Sequence, residues 1–103
     1  MPSLISPSPE SSELVAAEIL VTGRVQGVFY RAFTQHAAVE LELSGWVRNL
    51  PDGRVHAMVE GPRATVEELV SRLKVGPPRA VVTDLSVTWK AATREAFGFT
   101  VLP

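Results

Sequence analysis

A chain of 103 residues is large enough for one domain around a single core without covalent staples. It has no cysteine, which excludes disulfides, thiolate metal sites and a cysteine nucleophile and suits a reducing compartment. The net charge of −1 argues against a broad nucleic-acid surface, which needs a basic face, and no apolar run is long enough to span a membrane as a helix.

Residues 1–13 hold five serines and three prolines with little to bury, so they read as a disordered tail ahead of one domain over 14–103. The tail lacks the basic start and continuous apolar centre of a secretory signal, and the expected location is cytoplasmic. Ala16 to Val21 is short, apolar and β-branched at its end, as in a buried strand. From Phe29 to Leu43, the residues Tyr30, Phe33, Ala37 and Leu41 recur at helical spacing, leaving Gln35, Glu40 and Glu42 for water. Gly45 is expected to end this helix, with a second strand from Gly45 to Asn49. Leu50-Pro51-Asp52-Gly53 is a turn, because proline presets one φ and glycine accepts a positive one. A third strand, Arg54 to Glu60, turns Val55, Ala57 and Val59 to one face and His56 and Met58 to the other. Pro62 suits the first turn of a second helix, whose Val66, Leu69, Val70 and Leu73 form one stripe before Gly76-Pro77-Pro78 stops it. Leu85, Val87 and Trp89 alternate with polar residues in the next strand, Val81 to Trp89, and Phe97, Phe99 and Val101 alternate in a last one.

The stretch joining the first strand to the first helix, Gly23-Arg24-Val25-Gln26-Gly27-Val28-Phe29-Tyr30-Arg31, has the makings of an anion site. The first turn of a helix leaves N–H groups without intrahelical partners and carries the positive end of the peptide dipoles. Gly27 lets the main chain curl so that successive N–H groups converge on one point. Arg31 adds a permanent cation whose planar donors match two phosphate oxygens. From Ile19 to Val39 there are two arginines and no carboxylate. Two glycines between a strand and a helix also serve plain turn chemistry, and an arginine in a first helical turn is also a solvated charge.

Strand-helix-strand, strand-helix-strand implies a ferredoxin-like α/β sandwich (βαββαβ), an α+β fold with an antiparallel sheet, both helices on one face and an additional C-terminal strand. In that topology the first and second strands end at the same edge with the third between them. The glycine loop and Asn49 then stand about 10 Å apart, close enough to share one phosphate.

Gly23 to Arg31, taken with Gly45-Trp46-Val47-Arg48-Asn49-Leu50-Pro51-Asp52-Gly53, closely resembles the acylphosphatase family. The likeness runs over nearly all of the chain after the tail, with Glu60-Gly61-Pro62 and Gly76-Pro77-Pro78 also at family-like positions. The resemblance implies hydrolysis of acyl phosphates, with inorganic phosphate as product or inhibitor and with neither metal nor organic cofactor. It makes Gln26, Gly27, Val28, Phe29 and Tyr30 the phosphate-binding loop, Arg31 the anion clamp and Asn49 the residue that orients the attacking water. A monomer is expected, and the charge and hydropathy of the chain argue against nucleic-acid and membrane partners. A carbamoyl-phosphate-handling relative or a non-catalytic anion-binding module would share the same loop.

Other polar residues have simpler readings. His36 and His56 lie within a helix and a strand without a second ligand at metal-site spacing, and Trp46 and Trp89 suit a sheet face better than base stacking. Arg24, Arg48 and Arg54 either add positive potential to the site or are solvated charges. One departure from the family pattern is Leu41-Glu42-Leu43, where relatives commonly carry glycine at the middle position. A left-handed backbone there would cost Glu42 on the order of 1 kcal/mol relative to glycine.

Overall fold

The computed structural model describes residues 13–103, so the expected tail lies outside the described residues except for Glu13. Seven elements follow in chain order: β1 (Leu14–Arg24), α1 (Tyr30–Glu40), β2 (Ser44–Asn49), β3 (Val55–Pro62), α2 (Arg63–Val75), β4 (Val81–Ala91) and β5 (Phe99–Val101). The strands form one sheet in the order β4-β1-β3-β2-β5. Its first four strands are antiparallel neighbours, the arrangement of a ferredoxin-like sandwich. The additional strand β5 instead joins β2 in parallel, pairing Gly45 to Val47 with Phe99 to Val101, which makes the sheet mixed.

Strand alternation decides which face is covered. Val15, Ala17, Ile19 and Val21 of β1 share a core with Val55, Ala57 and Val59 of β3, Val47 of β2, and Tyr30, Ala37, Ala38, Val66, Leu69 and Leu73 of the two helices. Burying each of the large aliphatic side chains contributes about 1.5–3 kcal/mol. The opposite face carries a polar network in which Glu18 accepts from His56 Nε2 at 2.8 Å and meets Lys90 Nζ at 3.1 Å. His56 Nδ1 accepts from Arg48 Nε at 3.2 Å, and Trp46 meets the His56 ring edge-on at 5.0 Å.

The first helix is shorter than its hydrophobic spacing predicts. It stops at Glu40 because Leu43 N–H donates to Ala38 and Glu42 N–H to Val39, a Schellman closure that places Glu42 in the left-handed region at φ 59°. Gly45 is therefore not the helix stop. It lies inside β2, where a Cβ would overlap the carbonyl oxygen of Met58 on the neighbouring strand. The last strand is also shorter than its alternation implies, since Phe97 is 92% exposed and outside it. The connection before β5 is held instead by the Glu60 carboxylate, which accepts from Thr93 N and Oγ1 and from Arg94 N.

Candidate active site

Val55 of β3 pairs with Val21 of β1 on one side and with Asn49 of β2 on the other. The end of β1 and Asn49 are thus two strand spacings apart, about 10 Å, and the loop that leaves β1 closes over the gap. A bulge between Thr22 and Gly23 begins the departure; any Cβ at Gly23 would overlap the carbonyl oxygen of Val81.

Gly27 (φ 75°) and Phe29 (φ 65°) are both left-handed. A phenylalanine held there is strained, by on the order of 1 kcal/mol, and strain of this kind concentrates where backbone geometry serves a site. Phe29 is the N-cap of α1, makes no side-chain cap, and no acidic residue follows in the first turn. The helix dipole and the first N–H groups are therefore left without an internal anion.

Gly27, Phe29, Tyr30, Arg31 and Asn49 line one pocket of about 360 Å³, together with Ala32, Gln35 and Val101. None of these is acidic, so Arg31 sets the sign of the local field. Arg31 Nη1 donates to the carbonyl of Leu102 at 2.8 Å; of the five guanidinium donors, four remain for a ligand. Gln35, one turn later on the same helix face, donates to the carbonyl of Phe99 at 2.9 Å. Asn49 Oδ1 is buried and has no hydrogen-bond partner among the described residues.

The side chains of the remaining loop residues are engaged elsewhere. Val28 is buried in the core. The Tyr30 ring is buried, its hydroxyl donates to Leu73 O at 2.6 Å, and burial pushes the phenol above its ordinary range. Gln26 turns its amide away from the pocket and donates to Leu50 O at 2.8 Å and Arg54 O at 2.9 Å, tying the loop to the hairpin that follows Asn49. The Gln26 brace has no signature in the sequence because it joins the loop to a hairpin 24 and 28 residues further on, and the contacts of Gln35 with Phe99 and of Arg31 with Leu102 have none because they depend on β5 lying beside β2.

Arg54 is occupied by Asp52, Arg48 by His56 and the Trp46 ring, and Arg24 is exposed at the end of β1. None of the three lines the pocket, and neither do His36 and His56. Trp89 lies under the Arg63 guanidinium at 4.2 Å.

Comparison with known proteins adds the same direction. The Acylphosphatase family model matches residues 17–101. An acylphosphatase of Trichormus variabilis is 52% identical over 83 residues, covering 81% of this chain and 82% of its own. One from Methylococcus capsulatus is 52% identical over 84 residues, covering 82% and 91% respectively. The crystal structure of acylphosphatase from Bacillus subtilis superposes with a TM-score of 0.84 at 39% identity, over 86% of this chain and 99% of that one.

Proposed function

This chain belongs to the acylphosphatase family, and from that premise we propose that its loop from Gln26 to Tyr30 and Arg31 bind the phosphoryl group while Asn49 orients the attacking water. The reaction is hydrolysis of a carboxyl-phosphate anhydride to a carboxylate and inorganic phosphate. The observation that carries the residue assignment is the convergence of the left-handed loop, Arg31 and the unpartnered Asn49 Oδ1 on one pocket.

The chemistry asks for no other group. The departing carboxylate has a conjugate acid of pKa about 4, so it leaves without protonation near neutrality. What remains is to neutralise phosphoryl oxygens and to aim a water in line with the breaking bond. Loop N–H groups and Arg31 do the first. Asn49 Oδ1 does the second by accepting one water hydrogen, which leaves a lone pair on the water oxygen to attack phosphorus. The phosphorus–acyl oxygen bond breaks, its electron pair leaves on the carboxylate, and the water proton passes to a phosphoryl oxygen, since an amide is too weak a base to take it. Neither a metal nor an organic cofactor enters this scheme.

The same reading takes residues 14–103 as the catalytic unit, supported by the family match over 17–101 and by β1 opening at Leu14, with 1–13 as a tail. It takes the enzyme as monomeric and cytoplasmic, in keeping with the cysteine-free composition. No helix among the described residues is long and apolar enough to cross a membrane.

Arg31→Ala tests the clamp. Turnover and inhibition by inorganic phosphate should both weaken by roughly a hundredfold, because the guanidinium holds ground and transition states alike. Arg31→Lys should recover little, being a point charge without the planar fork. Wild-type phosphate inhibition in the alanine variant would remove Arg31 from the site.

A further inference from the structure

We propose that the groove beside the phosphate pocket, between α1 and the end of α2, is the binding site for the acyl group of the substrate, and that it takes an uncharged, apolar acyl group. The inference rests on the placement of the phosphoryl group against the loop and Arg31.

Phe29, Ala32, Phe33, His36 and Ala37 of α1 and its N-cap, with Pro77 across from them, line a groove of about 390 Å³, within the size range of small-ligand sites. Phe29 and Ala32 also line the phosphate pocket, whereas Asn49 lines only that pocket. The groove therefore begins where the phosphate pocket ends, on the side of Phe29 and Ala32 away from Asn49. In-line displacement puts the leaving oxygen opposite the attacking water. With the water on Asn49, the acyl group leaves towards the groove.

Two features indicate what it accepts. Phe29 is 80% exposed and strained, at a position where serine, threonine, aspartate or asparagine would cap the helix. Its ring adds little to the core and forms the wall between the two depressions. At the far end of the groove, Glu40 pairs with Arg72 Nη1 at 2.5 Å, and Arg72 Nε meets Glu68 at 3.4 Å. Arg72 is thus matched by two carboxylates and offers no free cation to a second anionic group. Mostly apolar walls, ended by one cation already matched by two carboxylates, favour an aliphatic or aromatic acyl chain over one with a terminal carboxylate.

The test compares acetyl, butyryl, succinyl and benzoyl phosphate on the full-length enzyme. Butyryl phosphate is expected to exceed succinyl phosphate in kcat/KM by about tenfold, the two differing in a terminal carboxylate that the groove leaves unpaired. Phe29→Ala should narrow the benzoyl-to-acetyl ratio of kcat/KM by about tenfold, chiefly through KM, since the lost contact serves binding. His36→Glu, an exposed change outside the phosphate pocket, should lower the benzoyl ratio in the same direction without altering inhibition by inorganic phosphate. A preference for succinyl phosphate, or acyl ratios that stay at the wild-type value in both variants, overturns the groove assignment. The phosphate reading fails by a separate sign, normal hydrolysis of acetyl phosphate by Arg31→Ala; if that variant is inactive while the acyl ratios do not move, only the groove is wrong.

Discussion

Replacing Asn49 by alanine separates a residue that handles water from one that shapes a turn, and the structure gives the two roles different magnitudes. The hairpin after Asn49 is held without its side chain: Leu50 N donates to Arg54 O at 2.8 Å, Gly53 N to Leu50 O at 3.1 Å, and Arg54 N to Asp52 Oδ1 at 3.0 Å. Asn49 Oδ1 is buried without a partner among the described residues, a state that costs a carbonyl about 1–3 kcal/mol. Truncation removes that unfavourable group along with some packing, so the net change in stability should stay within about 1 kcal/mol. Turnover should instead fall by roughly a hundred to a thousandfold, about 2.7–4 kcal/mol of transition-state stabilisation. Inhibition by inorganic phosphate should persist, because the loop and Arg31 are untouched. Asn49→Asp keeps the shape but places a carboxylate beside the anion, and should weaken phosphate inhibition as well as turnover. Turnover and phosphate inhibition, with urea unfolding on the same preparations, decide the matter. A normal turnover number for the alanine variant, accompanied by a lowered unfolding midpoint, would refute the water-positioning role.

Gln26→Ala removes two part-buried hydrogen bonds that join the loop to Leu50 O and Arg54 O; the carbonyls keep their backbone donors, Gly53 N and Leu50 N, and unfolding should report a loss of about 1–2 kcal/mol for the two bonds together with weaker phosphate inhibition. If stability falls and phosphate inhibition stays at the wild-type level, the brace does not position the loop. Glu42→Gly relieves a left-handed backbone at φ 59° and should stabilise the fold by roughly 0.5–1 kcal/mol after the added freedom of glycine in the unfolded chain is subtracted; a lowered unfolding midpoint would reject the strain argument. Glu18 is held below its ordinary value of 4.5 by hydrogen bonds from His56 and then Lys90. A carboxyl lowered on folding stabilises the protein above its unfolded pKa and loses that contribution as pH falls through the folded one, so Glu18→Gln should make the acid limb of the stability curve below about pH 4.5 shallower. An unchanged acid limb would show that this solvent-facing network contributes nothing to the pH dependence.

Much of the architecture was legible because its signals are local. Tyr30, Phe33 and Ala37 announce a helix by spacing alone, and Pro51-Asp52-Gly53 announces the hairpin by backbone preference. Its end was not legible: Leu41 continues the apolar spacing, and only the Schellman hydrogen bonds from Glu42 and Leu43 show that the chain has already left the helix. Phe97 misled in the same way. Alternation with Phe99 and Val101 places it in a strand, but the strand is limited by the part of β2 that it can pair with, and Phe97 falls outside.

At the site, the identities of Gly27 and Arg31 carry the properties their proposed roles need, a glycine for a left-handed turn and a guanidinium for an anion, whereas Asn49 by itself reads as a turn residue and takes its proposed role from the family resemblance. The first two are properties of single residues and nearest neighbours, so a linear chain expresses them. The sequence by itself thus determined the element order, the conformational freedom of the loop and the charge that faces it. Only the tertiary structure decided that Gln26 reaches across to Leu50 and Arg54 and that Leu102 steadies Arg31; that the third strand stands between Val21 and Asn49 followed from the topology, and the structure fixed Val55 as the residue that does so. The side-chain bonds of Gln26 and Arg31 join residues 24 to 71 positions apart, and no local preference specifies them; they exist because burying the core on one face of the sheet sets the register of every strand.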